Sequence, residues 1–230
     1  GERASELLRG FVSKQRNNTR SCSFSLAAGQ GRVNMPEVSA ETVFDVLHDT
    51  EYRKKWDLNV IETHEIARLS DNADMGYYSW KCPKPLKNRD VVTLRSWRVL
   101  DKSYVIVNFS VKHQKYPPRK DLVRAVSLLA GYLVQPTGPS SCCLTYLAQV
   151  DPKEEFHIMK KMYKACLKYP SWKQQHNAGK KPWLHPEQSL LPTMPLSELS
   201  LQHASSLENI DESGLMEAKE EKGDISGSEN

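Results

Sequence analysis

Between residues 58 and 150 the chain repeats with a period of two, and this run limits the fold more than any other feature. Residues 60–69, 76–81, 91–100, 104–112, 122–134 and 141–150 read as strands. Turn clusters separate them: Ser70-Asp71-Asn72, Lys84 to Asn88, Tyr116-Pro117-Pro118 and Pro136-Thr137-Gly138-Pro139. Links this short join antiparallel neighbours, because a parallel pair needs a long crossover. In 104–112, Val105, Val107, Phe109 and Val111 share one face, while Tyr104, Ile106, Asn108 and Ser110 share the other. Both faces are also partly apolar in 141–150. A sheet with one wet face alternates more cleanly. Two semi-apolar faces imply an α+β fold whose curved antiparallel sheet is packed on one side and lines a cavity on the other.

Helical periodicity flanks the strands. Ser39 is placed to cap a short helix with Glu41 in its first turn and Val43, Phe44 and Leu47 on one face, ending near His48. Residues 51–57 then form a turn or a second short helix. After the strands, Met159, Met162, Tyr163 and Cys166 fall at i, i+3, i+4 and i+7, with Lys160, Lys161, Lys164 and Lys168 around them. The stripe docks on the sheet, or serves in addition as a basic amphipathic lid that touches anionic lipid. Tyr169-Pro170 is the expected stop. Before residue 36 the pattern is weak, with one candidate strand at 21–26.

Charge divides the chain. The net charge is +4, yet residues 186–230 hold ten acids and two lysines, a net of −8 that leaves +12 on residues 1–185. A basic body with an acidic, Ser-, Glu- and Leu-rich, disordered tail is the expectation. Ser205-Ser206-Leu207-Glu208 and Ser226-Gly227-Ser228-Glu229 offer a weak acidophilic-kinase pattern. No stretch approaches the roughly 18 apolar residues of a membrane span, and Gly1-Glu2-Arg3-Ala4-Ser5 gives no expectation of secretion. Five cysteines (Cys22, Cys82, Cys142, Cys143, Cys166), never spaced C-x-x-C, argue for reduced thiols over a disulfide framework or zinc site. Nucleotide-binding and nucleophile-elbow motifs are missing, and the seven histidines form no metal-ligand spacing. The expectation is a binding protein that needs no cofactor, rather than an enzyme. No nucleic-acid signature accompanies the basic loop 112–120.

Two runs carry the candidate chemistry. In Glu51-Tyr52-Arg53-Lys54-Lys55-Trp56-Asp57, Arg53 and Asp57 are four apart and pair if the segment is helical. That pair is either a surface contact of little consequence or a partly buried arginine whose planar fork faces a phosphate. Trp56 reads as a core plug or a ligand wall. Cys82-Pro83-Lys84-Pro85-Leu86-Lys87-Asn88-Arg89-Asp90 reads as a turn into a strand that shapes a cavity mouth.

On these residues the chain resembles the START-domain lipid-transfer proteins, and within them the phosphatidylcholine-transfer-protein subgroup. Similar blocks also lie at 112–126, at 146–152 (Tyr-Leu-Ala-Gln-Val-Asp-Pro), at 159–170, at 181–188 and at 206–213. The resemblance implies a helix-grip fold, in which a curved antiparallel sheet grips a C-terminal helix with one lipid between them. It implies domain limits of 36–185, with 1–35 unmatched and poorly ordered and 186–230 as the tail. It further implies a cytoplasmic, monomeric carrier of phosphatidylcholine and phosphatidylethanolamine that touches anionic membranes transiently, with Lys160, Lys161, Lys164 and Lys168 docking. Headgroup contacts carry over to Arg53, on the phosphate, and Asp57. Of the family's aromatic choline cage, Tyr78 takes one tryptophan position, while Val91 and Leu128 stand at the other two. Such a cage holds quaternary ammonium less selectively. The family's N-terminal strands and the first half of its long helix lack counterparts, which implies weaker carriage. The alternative is a non-transferring membrane or protein interaction module regulated by its acidic tail.

Overall fold

The computed structural model describes residues 29–127, 129–148 and 152–201. Strands β1 (Gly29–Met35), β2 (Val60–Ser70), β3 (Ala73–Trp80), β4 (Arg89–Leu100), β5 (Ser103–Lys112), β7 (Ala130–Gly138) and β8 (Ser141–Ala148) form one curved sheet in the order β1-β8-β7-β5-β4-β3-β2. Every neighbour in that path is antiparallel. Short β6 (Val123–Arg124) and β9 (Ser200–Leu201) pair with β4 and β5 off the path. Helices α1 (Ala40–His48) and α2 (Thr50–Trp56) link β1 to β2, and α3 (Pro152–Gln175) follows β8.

Register assigns the faces. Gly31, Tyr146, Tyr132, Ile106 and Trp97 lie in one row across five strands, and Val33, Leu144, Val134 and Tyr104 in the next. This inner face receives the helices. Met159, Met162 and Cys166 of α3 pack on Met35, Val134, Cys142 and Leu144, together with Val43 and Val46 of α1. The outer face buries Met75, Val92, Leu94 and Val111 in one cluster and Val105, Val107 and Leu133 in another. Both faces of β5 are therefore covered, which is why its alternation is apolar on both sides.

Four expectations change. The strand read through 122–134 is two elements. Arg124 donates to both oxygens of fully buried Asp90 at 2.8 and 2.9 Å and to the Tyr116 and Pro117 carbonyls. This clamp seats β6 parallel to β4, so the chain must cross before β7 begins. Tyr77 completes the clamp by donating its hydroxyl to Asp90 at 3.1 Å.

The last helix does not stop at Tyr169-Pro170; it continues to Gln175. An interior proline costs about 3 kcal/mol, and here it is flanked by anchors. Tyr169 and Lys173 both donate to Asp49, and the rings of Trp172 and Tyr52 lie 4.7 Å apart.

Residues 186–201, assigned to the disordered tail, are ordered. The Arg68 amide donates to the Pro192 carbonyl and the Met194 amide donates to the Arg68 carbonyl, Met194 is buried in the outer cluster, and β9 pairs with the end of β5. Composition hid this strap because a single buried methionine and a few backbone bonds hold it. Gly29–Met35, inside the segment read as poorly ordered, forms β1 on β8. The candidate strand at 21–26 lies outside the described residues, as do residues 202–230.

Candidate functional site

The site is built at the C-terminal end of α2. Asp49 caps that helix, its side chain accepting from the Tyr52 amide at 3.0 Å, and a carboxylate at this position also suits the helix dipole. Seven residues later the helix ends with Asp57 donating its amide to the Arg53 carbonyl. One helical turn thus brings Arg53 and Asp57 to one side, and Arg53 Nε donates to Asp57 Oδ2 at 2.9 Å. Tyr78 of β3 donates its hydroxyl to the same oxygen at 3.0 Å. The Arg53 guanidinium carbon lies 4.7 Å from the Trp56 ring centroid and 5.2 Å from that of Tyr78. Tyr78 in turn stacks on Trp80 at 5.4 Å.

Burial decides between the two readings of the pair. The Arg53 side chain is 23% exposed and that of Asp57 10%, so this is not a solvated surface contact. Burial pushes the guanidinium toward losing its proton, but Tyr78, Asp57 and Tyr132 outweigh that and hold it above its ordinary range. Burial, with Asp57 adding to it against the opposing Arg53 cation, pushes the Tyr78 phenol up to about 12. The cation is therefore permanent, and two aromatic faces stabilise it. Asp57 takes only its Nε side. A planar fork held this way suits a tetrahedral anion such as a phosphate diester. Trp56 adds a buried indole N–H with no hydrogen-bond partner among the described residues.

Of the cage positions, Val91 is buried directly opposite Tyr78 in the β3–β4 register, on the inner face. Leu128 lies outside the described residues. Lys160, Lys161, Lys164 and Lys168 are all exposed on α3, opposite its Met159–Met162–Cys166 face, and do not join the Arg53 group. Asn88 accepts from the Cys82 amide at 3.2 Å and closes the 82–88 loop. Asp90 faces the outer side and belongs to the Arg124 clamp, not to the cavity mouth.

Sequence reasoning missed three features. Tyr132 and Tyr146 stack at 4.7 Å as an inner-face aromatic wall beside Arg53; their period-two positions were the available signal. Arg95 and Asp74 form a bidentate pair on the same face, at 2.9 and 2.5 Å, with Asp74 buried. Their separation of 21 residues carries no spacing signal. Asp49, Tyr169 and Lys173 form the third group, read as ordinary helix positions. His48, fully buried against Phe44, Trp97 and Trp183, is held well below its usual range by burial and by the Arg95 charge. No cluster of metal-ligating side chains occurs among the described residues.

The profile of the START domain matches residues 17–175. The chain belongs to the START-domain family. Among its relatives, mouse "START domain-containing protein 10" is 63% identical over 212 residues, covering 86% of this chain and 73% of that protein. The human protein of the same name is 65% identical over 205 residues, covering 83% and 70%. The crystal structure of human STARD10 superposes with a TM-score of 0.79 at 56% identity, covering 86% of this START chain and 93% of that one. The helix-grip architecture that the family resemblance implied is the observed one. Among the described residues no helix is long and apolar enough to cross a membrane.

Proposed function

We propose that this START protein binds one phospholipid, with phosphatidylcholine and phosphatidylethanolamine as the headgroup classes, and carries it between membranes without covalent chemistry. The observation that supports this most is the half-buried Arg53, neutralised on one edge by Asp57 and faced by the Trp56 and Tyr78 rings. A phosphate diester supplies the second anion, and the buried Trp56 N–H is a further donor for a polar atom of the lipid backbone. A relative, mouse "Phosphatidylcholine transfer protein", is 38% identical over 84 residues, covering 35% of this chain, which adds support for the ligand class.

Tails are the larger energetic question. A diacyl lipid has about 30 chain methylenes at about 0.8 kcal/mol each, on the order of 24 kcal/mol that the carrier must match to draw lipid from a bilayer. The half-buried inner-face wall of Tyr132 and Tyr146 is the apolar surface offered for that burial. The Met159–Met162–Cys166 face of α3, already packed on Met35, Val134, Cys142 and Leu144, must part from the sheet to admit more of the tails. With tyrosine and valine at two cage positions, quaternary ammonium is not strongly preferred over primary ammonium. The exposed α3 lysines draw the monomer to anionic cytoplasmic leaflets.

Native mass spectrometry after exposure to mixed phospholipids tests the reading. A stoichiometric phospholipid adduct is expected, and Arg53→Glu should abolish it while leaving the fold intact by circular dichroism. An adduct undiminished in that variant would remove Arg53 from the headgroup site. No adduct on the parent, with vesicle binding retained, favours the interaction-module reading.

A further inference from the structure

We propose that the α2–β2 turn, with Leu58 and Ile61 at its surface and the 81–88 loop beside it, is the face that enters an anionic bilayer. Leu58 follows the headgroup residue Asp57 directly, and it is 76% exposed; Ile61 is 46% exposed and Leu86 40%. Large aliphatic side chains left this open on one edge mark an interaction surface. The two segments are joined: the Lys81 amide donates to the Asn59 carbonyl at 2.8 Å, and Val60 pairs with Trp80. The Leu86 amide donates to the Pro83 carbonyl, turning the loop tip.

The charge around these leucines selects the occupant. Lys81, Lys84 and Lys87 are exposed on the loop, and Lys55 is exposed one turn before Leu58. The acids of this edge are engaged: Glu51 with Lys54, and Glu62 and Asp121 with Arg119. Aliphatic tips ringed by lysine ammoniums match the interface of an anionic bilayer, where the tips enter the acyl boundary and the ammoniums stay among headgroups. Exposed leucine on a rim without such cations would suit a neutral partner equally well. Position agrees with this occupant, because the edge lies next to the Arg53–Asp57–Tyr78 group. A docked molecule has its headgroup site at the membrane surface, so a lipid crosses little water. The α3 lysines add long-range attraction, whereas the α2–β2 turn supplies insertion. The inference deepens the carriage reading and rests on it for the direction in which lipid leaves.

The test is co-sedimentation of the full chain with vesicles of phosphatidylcholine, with and without phosphatidylserine, alongside native mass spectrometry of the same samples. Capture of the parent should require phosphatidylserine. Leu58→Asp and Leu86→Asp should each weaken capture by about tenfold, the scale of one leucine kept in water, while phospholipid adducts persist. Lys84→Glu alters charge alone and should weaken capture most at low salt. Capture of Leu58→Asp and Leu86→Asp equal to the parent overturns the proposal. So does a parent that ignores vesicles, the outcome expected if the patch serves an acidic protein instead. Leucine-dependent capture without any adduct leaves the docking face standing and removes the carriage reading. Adducts with leucine-independent capture do the reverse.

Discussion

Replacing Asp49 with alanine tests the bond between α2 and the last helix. Asp49 is buried and receives three donors: the Tyr52 amide at 3.0 Å, the Tyr169 hydroxyl at 3.0 Å and the Lys173 ammonium at 2.8 Å. The paired side chains are 6% and 11% exposed, so solvent screens them little. Alanine removes the α2 cap, worth about 1 kcal/mol, and leaves an ammonium buried without its counter-ion. Breaking one partner of a buried pair costs about 3–5 kcal/mol, and the cap is contained in that figure because the same carboxylate makes both contacts. For a domain of this size the melting temperature should fall by about 10 °C. Urea unfolding followed by circular dichroism measures the free-energy change, and thermal melts measure the shift. Lys173→Met, which leaves Asp49 its two other donors, should cost less, and the double variant should recover part of the Asp49→Ala loss. A loss under about 1 kcal/mol for Asp49→Ala would show that Lys173 finds water or another anion, and the argument that this pair holds α3 past Pro170 would fail.

Other expectations concern groups whose protonation or packing is altered. Tyr78 is raised to about 12 in the folded protein, so the folded state keeps a proton that the unfolded chain gives up near its ordinary value of 10. Its contribution to stability is intact below pH 10 and lost as pH rises toward 12; a parent and a Tyr78→Phe variant with the same alkaline unfolding profile would contradict this. Burial also pushes the Cys166 thiol up to about 12 and that of Cys142 to about 11. Both should react with a thiol reagent far more slowly than Cys82 in the native protein and at equal rates in urea; fast native labelling of Cys166 would refute the packing of α3. A methyl group on Gly31 would overlap the end of the Met159 side chain, so Gly31→Ala should cost about 1 kcal/mol in unfolding experiments. Met159→Ala in the same chain should relieve part of that clash, and no relief would mean that α3 sits elsewhere over β1.

Much of this molecule was written locally. Period two placed the long strands, because alternate side chains must point to opposite faces wherever a sheet is packed on both sides. Ser39 and the Val43–Phe44–Leu47 stripe placed α1, and the observed helix ends at His48. Arg53 and Asp57 met because four residues make one helical turn, a distance any chain carries in its own numbering. Tertiary structure decided what distant pairs decide. Whether the Arg53–Asp57 pair was solvated or half-buried depended on Tyr78, 21 residues beyond Asp57 and brought to it by β3. Asp90 and Arg124 split the run 122–134, read as one strand, into β6 and β7, since a buried carboxylate must find its cation whatever strand propensity favours. Asp49, 124 residues from Lys173, carried the last helix through a proline that local rules read as its end. Backbone periodicity is a property of neighbours along the chain, whereas desolvation and charge pairing depend on neighbours in space. The long strands and α1 could therefore be read from the residues alone, while the burial of Arg53 beside Asp57 and Tyr78 could not.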